Sequence, residues 1–116
     1  MPYLIAVDSG HGMETPGKRT PAIPEAWFGK KKGDCIHEKE FNKPTAEYLI
    51  AALERCGFKT INVSPGTNDV SLKDRYTAAN NAKADAFISK HYNASTGKWG
   101  NANGIETIIH HNCSAA

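Results

Sequence analysis

The chain of 116 residues is long enough for one domain with a single core and too short for two of ordinary size. Its 40% hydrophobic and 22% charged residues describe a globular protein rather than a disordered one, and a net charge of +2 provides no field that would select nucleic acid as a partner. No apolar run approaches the roughly 20 residues of a membrane span.

Leu4 to Val7 is a continuous apolar run with β-branched residues, the pattern of a strand buried on both faces in a parallel sheet. Asp8-Ser9-Gly10 ends it, and His11 follows between Gly10 and Gly12. Ligands in open parallel sheets bind just beyond the carboxyl ends of strands, so His11 is placed for chemistry. The flanking glycines permit unusual backbone angles and close approach of another group. Met1-Pro2-Tyr3 enters this strand with no basic leader or cleavage site, so the expectation is synthesis in the cytoplasm without a signal peptide.

Met13 to Asp34 carries three prolines, three glycines and no apolar period, and is a long loop. Loops of this length in compact domains usually serve a function, and a wall or lid beside His11 is expected. Ala26-Trp27-Phe28 gives it aromatic surface, suited to sugar faces or apolar peptide parts, or to pinning the loop to the core. Lys30-Lys31-Lys32 is a solvated basic run. Cys35, Cys56 and Cys113 have no C-x-x-C spacing and make neither a disulfide framework nor a cysteine zinc site. Cys35 is at most a stray ligand.

The clearest helix runs from about Glu38 to Cys56, with Phe41, Leu49, Ala52, Leu53 and Cys56 on its apolar stripe and Thr45 as a weak position within it. Cys56 is thereby expected in the core, and Gly57 as a left-handed cap. Pro44 leaves two possibilities: Asn42 caps a helix starting at Lys43, or the first turn is distorted. In both, Glu38 stands at or just before the positive helix end. Phe58 to Val63 is a second strand and Ser64 to Thr67 a turn. Ser71 caps a helix to about Ala82, with Asp74 completing a capping pattern and Leu72, Tyr76 and Ala79 on one face. Ala84 to Ser89 is a third buried strand, ending in Lys90-His91-Tyr92-Asn93. After a glycine-rich loop, Gly104 to His110 is expected as a fourth.

The element order is that of an α/β fold, a mostly parallel sheet flanked by helices, with His11 and His91 on one carboxyl edge. Two histidines and a carboxylate form an open zinc site with water in the fourth position. Here those would be His11, Glu38 and His91, a spacing that only the fold can bring together, and histidines that merely face solvent are the alternative; His37 and Glu40 are neighbours that compete for the ligand role.

Four segments carry a family resemblance. Val7-Asp8-Ser9-Gly10-His11-Gly12, Glu38-Lys39-Glu40-Phe41-Asn42, Ser71-Leu72-Lys73-Asp74-Arg75, and Ala84 through His91-Tyr92-Asn93-Ala94 resemble, in order, the motifs of zinc-dependent N-acetylmuramoyl-L-alanine amidases of the type-three family, found in cell-wall hydrolases and phage endolysins. Ser9 departs from the family's proline. Over residues 1–116, the resemblance implies an amidase catalytic domain, one Zn²⁺ held by His11, Glu38 and His91, and peptidoglycan as partner. The implied reaction is hydrolysis of the amide between N-acetylmuramic acid and L-alanine at the cell wall. The family's general base is a glutamate near its C-terminus, beyond Ala116, and its closing helix and strand are expected to be missing here. That leaves the catalytic base unknown, Glu106 as a stand-in, Asn93 as a substrate contact, weak activity of the 116-residue chain, and self-association through an uncovered sheet edge. A non-catalytic zinc- and wall-binding domain, or a zinc peptidase acting on the stem peptide, is the alternative.

Overall fold

A computed structural model of the chain describes residues 2–110. Its elements in order are β1 (Leu4–Ser9), α1 (Glu38–Arg55), β2 (Lys59–Asn62), α2 (Leu72–Asn81) and β3 (Ala86–Lys90). The strands form one sheet in the order β2-β1-β3 with both pairings parallel, so the α/β expectation holds. Leu4 pairs with Lys59 at one margin of β1, and Ser9 with Lys90 at the other.

β1 is central because its side chains can be buried on both faces. Alternate residues point to opposite sides of a strand. Ile5 and Val7 pack with Ala46 of α1, joined by Leu49, Ile50, Leu53, Phe58 and Ile88. Ala6 packs on the other face with Val63 and with Ala79 of α2. One helix therefore covers each face, and the chain changes sides of β1 between β2 and β3. That change makes the carboxyl end of β1 a topological switch point, the position where open α/β sheets bind ligands.

α1 starts at Glu38 with His37 as N-cap, which decides between the two starts left open by Pro44. The first turn is held by its surroundings. The His37 N–H donates to Glu40 Oε2 at 2.8 Å, the Glu38 N–H donates to Lys18 O at 2.8 Å, and the side chains of Lys39 and Asn42 are buried. These contacts carry the helix through Pro44, whose ring removes one backbone bond. At the other end Gly57 has φ +89°, with Phe58 N bonded to Leu53 O and Gly57 N to Glu54 O, a Schellman closure.

Four expectations are corrected. Cys56 is exposed, because it is the C-cap and lies beyond the last turn that packs on the sheet. On α2 the buried residues are Arg75 and Ala79, while Leu72 and Tyr76 face outward; the ion pair described below draws the arginine in. β3 is an edge strand and largely exposed, with only Ile88 joining the core on the α1 side. Gly104 to His110 is not a strand: it pairs with no strand among the described residues, and Ile105, Ile108 and Ile109 are exposed, since apolar alternation makes a strand only where a neighbouring edge accepts its backbone bonds. Cys113 lies outside the described residues. No helix among those described is long and apolar enough to cross a membrane.

Candidate metal centre

The end of β1 is fixed by an unusual concentration of buried charge. Asp8, Lys39 and Arg75 are all buried. Asp8 Oδ1 accepts from Arg75 Nη1 at 2.6 Å and from Ser64 Oγ at 2.7 Å, and Oδ2 accepts from Ser89 Oγ at 2.6 Å. Burial raises the Asp8 pKa, but the bonds from Ser89, Ser64 and Arg75 outweigh it and hold the carboxyl below its usual range. Arg75 also donates to the carbonyls of Ser9 (2.8 Å), Val70 (2.7 Å) and His11 (3.3 Å), and to Asp69 Oδ1 at 2.7 Å. Lys39 Nζ donates to Ser9 O at 3.0 Å and Ser64 O at 3.3 Å. The turn leaving β1 is thus gripped by two cations from two helices.

His11 needs that grip. Its φ is +59°, a left-handed conformation uncommon for a side-chain-bearing residue. Neither neighbouring glycine takes a positive φ; both serve close approach instead. A Cβ on Gly10 would stand 2.1 Å from the His91 ring, and one on Gly12 would stand 2.1 Å from the backbone nitrogen of Asp69. Gly10→Ala is expected to push the His91 ring aside while leaving the fold intact, weakening metal binding by about 10- to 100-fold, the range for disturbed ligand support. A metal titration beside a thermal melt checks this.

The sheet and α1 bring together His11 after β1, Glu38 in the first turn of α1, and His91 after β3. Glu38 Oε2 lies 3.5 Å from His11 Nε2, and Oε1 lies 3.1 Å from His91 Nδ1. The imidazoles meet edge to face at 4.8 Å between centroids. One donor atom from each residue lies within 4.8 Å of the other two. Ligands on a tetrahedral zinc at about 2.1 Å stand about 3.4 Å from one another. The separations of 3.1 and 3.5 Å, one from each Glu38 oxygen, lie near that spacing, and with one donor atom from each residue inside 4.8 Å the set is of a size to hold a metal ion.

Protonation states agree with that use. Burial raises the Glu38 pKa, but bonds from His91, from Asn42 Nδ2 (3.1 Å) and from the Tyr92 N–H (2.9 Å), together with His11, bring it down to about 2. Burial holds His11 below the ordinary imidazole range despite the opposing pull of Glu38. An ionised carboxylate and a neutral imidazole are the forms that bind metals. Asn42 also donates to Gly10 O at 3.1 Å, tying the carboxylate to the turn that carries His11.

The competing neighbours have other partners or no access. Glu40 caps the helix start and pairs with Lys30 at 2.9 Å. His37 is the N-cap residue, and its Nδ1 is buried. Asn93 donates to Glu106 Oε1, so these two residues meet each other. Asp8, Lys39, Asn42 and Arg75 are parts of the site that ligand chemistry alone does not single out in the sequence. Asn42 was accessible by spacing, since four residues from Glu38 is the same helix face.

A sequence profile described as N-acetylmuramoyl-L-alanine amidase matches residues 5–116. The chain belongs to this amidase family. Among solved structures, the N-acetylmuramoyl-L-alanine amidase from Clostridium difficile 630 is 28% identical with a TM-score of 0.64, over 88% of this chain and 48% of that one. The amidase AmiC2 of Nostoc punctiforme is 27% identical with a TM-score of 0.62, over 78% of this chain and 44% of that one. Cwp6 from Clostridium difficile is 26% identical with a TM-score of 0.67, over 84% of this chain and 14% of that one. The chain spans less than half the length of each of these three proteins. A search of curated proteins finds no match.

Proposed function

We propose that the chain carries the metal centre of a zinc-dependent amidase that hydrolyses the bond between N-acetylmuramic acid and L-alanine in peptidoglycan, acting at the bacterial cell wall. The observation that supports it most is the convergence of His11, Glu38 and His91 on a point at the carboxyl edge of the sheet, in a chain of this family. Zinc held there would supply a polarised, readily deprotonated water and a Lewis acid for the amide carbonyl.

The chain's own groups do the rest. Asn42 and the Tyr92 N–H fix the Glu38 carboxylate, and Arg75 fixes the backbone of His11. A cleft of about 330 Å³ opens beside the histidines, with Leu72 and Phe87 as apolar walls and Asp69 and Ser89 as polar ones. It has room for the scissile amide and its neighbours. Asn93 and Glu106, bonded to each other, supply a peptide-binding donor and a proton acceptor on the segment that follows His91. A general base must reach the proton it takes, and Glu106 is the carboxylate we assign to that test.

The experiment is to incubate the chain with zinc and purified cell walls and count new amino-terminal L-alanine. Release that stops on chelation and in His91→Ala supports the amidase. Zinc and wall binding without release, both in this chain and in a longer version that carries the family's C-terminal glutamate, makes the domain a wall-binding module, and new termini at other stem residues make it a peptidase. Glu106→Gln should lower the rate about 10²- to 10⁴-fold if Glu106 is the base.

A further inference from the structure

We propose that the pocket between Trp27 and Trp99 is a saccharide subsite, holding one neutral N-acetylated pyranose of the glycan strand whose stem amide is offered to the metal centre; this rests on the amidase reading above. The pocket encloses about 210 Å³ and is lined by Ile23, Pro24, Glu25, Trp27 and Trp99. Pockets for drug-sized ligands run to roughly 300–1,000 Å³, so this one suits a single ring. Both indoles are about half exposed, at 56% and 54%, and so present free faces.

Chain topology ties the pocket to the metal centre. Residues 13–34 leave from His11 and return at Glu38, while Trp99 lies on the segment that leaves His91. The two meet where Trp99 Nε1 donates to Ala22 O at 2.9 Å. A line of contacts also runs from the pocket wall to a candidate ligand: Trp27 to Phe41 at 6.3 Å, Phe41 to Tyr92 at 4.6 Å, and the Tyr92 N–H to Glu38.

Trp27 is also held in place before any ligand arrives. Trp27 and Lys30 exchange both backbone hydrogen bonds across a tight turn with Phe28 at φ +54° and Gly29 at +69°. A phenylalanine in that conformation is costly. It is kept there by the Phe28 ring against Phe41 at 5.0 Å and by Lys30 on Glu40 at 2.9 Å. A rigid aromatic face loses little freedom on binding a ring.

Charge decides between the sugar and the stem peptide. Glu25 is the one ionisable group in the lining. Its carboxylate disfavours an acidic stem but accepts hydrogen bonds from hydroxyl and amide N–H groups. Muramic acid is neutral in the intact substrate, because its carboxyl is consumed in the amide. A pyranose offers apolar C–H faces to the indoles and polar edges to Glu25, the division of surface that tryptophan favours in partly wet sites.

The chain has two tryptophans, and both line this pocket, so intrinsic fluorescence reports on it directly. The metal-free chain is titrated with tri-N-acetylchitotriose, which has no stem, and separately with the free stem tetrapeptide. Saturable quenching or a spectral shift with the sugar and none with the peptide is expected. Trp27→Ala, read through Trp99, should weaken the sugar's apparent Kd about tenfold or more, the loss of one stacked ring, and Trp27→Tyr should restore most of it. No saturable change with the sugar overturns the proposal. So does saturation by the peptide, or a signal that follows protein concentration through self-association. Sugar binding with no L-alanine released, even by a longer version that carries the family's C-terminal glutamate, would keep the subsite and remove the amidase reading; release without sugar binding would do the reverse.

Discussion

Arg75→Met is expected to destabilise the fold by about 3–5 kcal/mol, because removing one partner of a buried ion pair leaves the other charge uncompensated. Against the 5–15 kcal/mol typical of a domain, that is a large share, and it lowers the melting temperature by on the order of 15 °C. The structural reason is that Asp8 and Arg75 are only 4% and 5% exposed at their side chains, and that the same guanidinium serves three backbone carbonyls. Methionine fills similar space and serves none of them. The pH dependence separates this loss from simple repacking. In the native chain the Asp8 pKa is below its ordinary value of 3.8, so its contribution is complete above that value and is lost as pH falls through the folded one. Without Arg75, burial, the largest influence on Asp8, is opposed by the bonds from Ser89 and Ser64 and by the charge of Lys39. The pKa moves upward, and acid unfolding of the variant begins at higher pH. A variant that melts with the native chain, with an unchanged acid limb, would show that the pair contributes little.

The second large effect concerns the three converging side chains. His11→Ala, Glu38→Ala and His91→Ala are each expected to weaken zinc binding by more than about 100-fold, beyond the range seen when only the support of a ligand is lost, and to abolish release of L-alanine. Glu40→Ala is the control. It should keep a full zinc equivalent, since its carboxylate faces Lys30 and the His37 N–H, and should cost about 0.5–2 kcal/mol through loss of the helix cap. Zinc analysis after dialysis reads both. Loss of zinc in Glu40→Ala with retention in Glu38→Ala would transfer the carboxylate role to Glu40.

Much of this arrangement is legible in the sequence because its strongest signals are local. Leu4 to Val7 reads as a doubly buried strand, and β1 is the centre of the sheet. The capping pattern at Ser71 appears as a bond from the Asp74 N–H to Ser71 Oγ at 3.0 Å. Gly57 ends α1 with a positive φ. What sequence patterns misplace is decided by partners far along the chain. Apolar periodicity assigns Leu72 and Tyr76 inward, but Asp8, 67 positions from Arg75, turns α2 so that the arginine is buried. Nothing local marks Lys39 as a buried residue, yet it is 1% exposed because its ammonium reaches the carbonyls of Ser9 and Ser64. Alternation in Gly104 to His110 indicates a strand, and nothing in that stretch states whether an edge is available to it. Glu38 could be narrowed to the start of a helix, while its distance from His91 depends on a parallel pairing between β1 and β3 that no local pattern encodes.

The central claim is that His11, Glu38 and His91 bind one metal ion together. Its most direct test is a crystal of the chain grown with zinc and measured on both sides of the zinc absorption edge. One strong anomalous peak is expected within about 2.0–2.2 Å of a nitrogen of His11, a nitrogen of His91 and a carboxylate oxygen of Glu38. Zinc bound elsewhere with this cluster empty, or a peak ligated by Glu40 or His37 in place of Glu38, would contradict it.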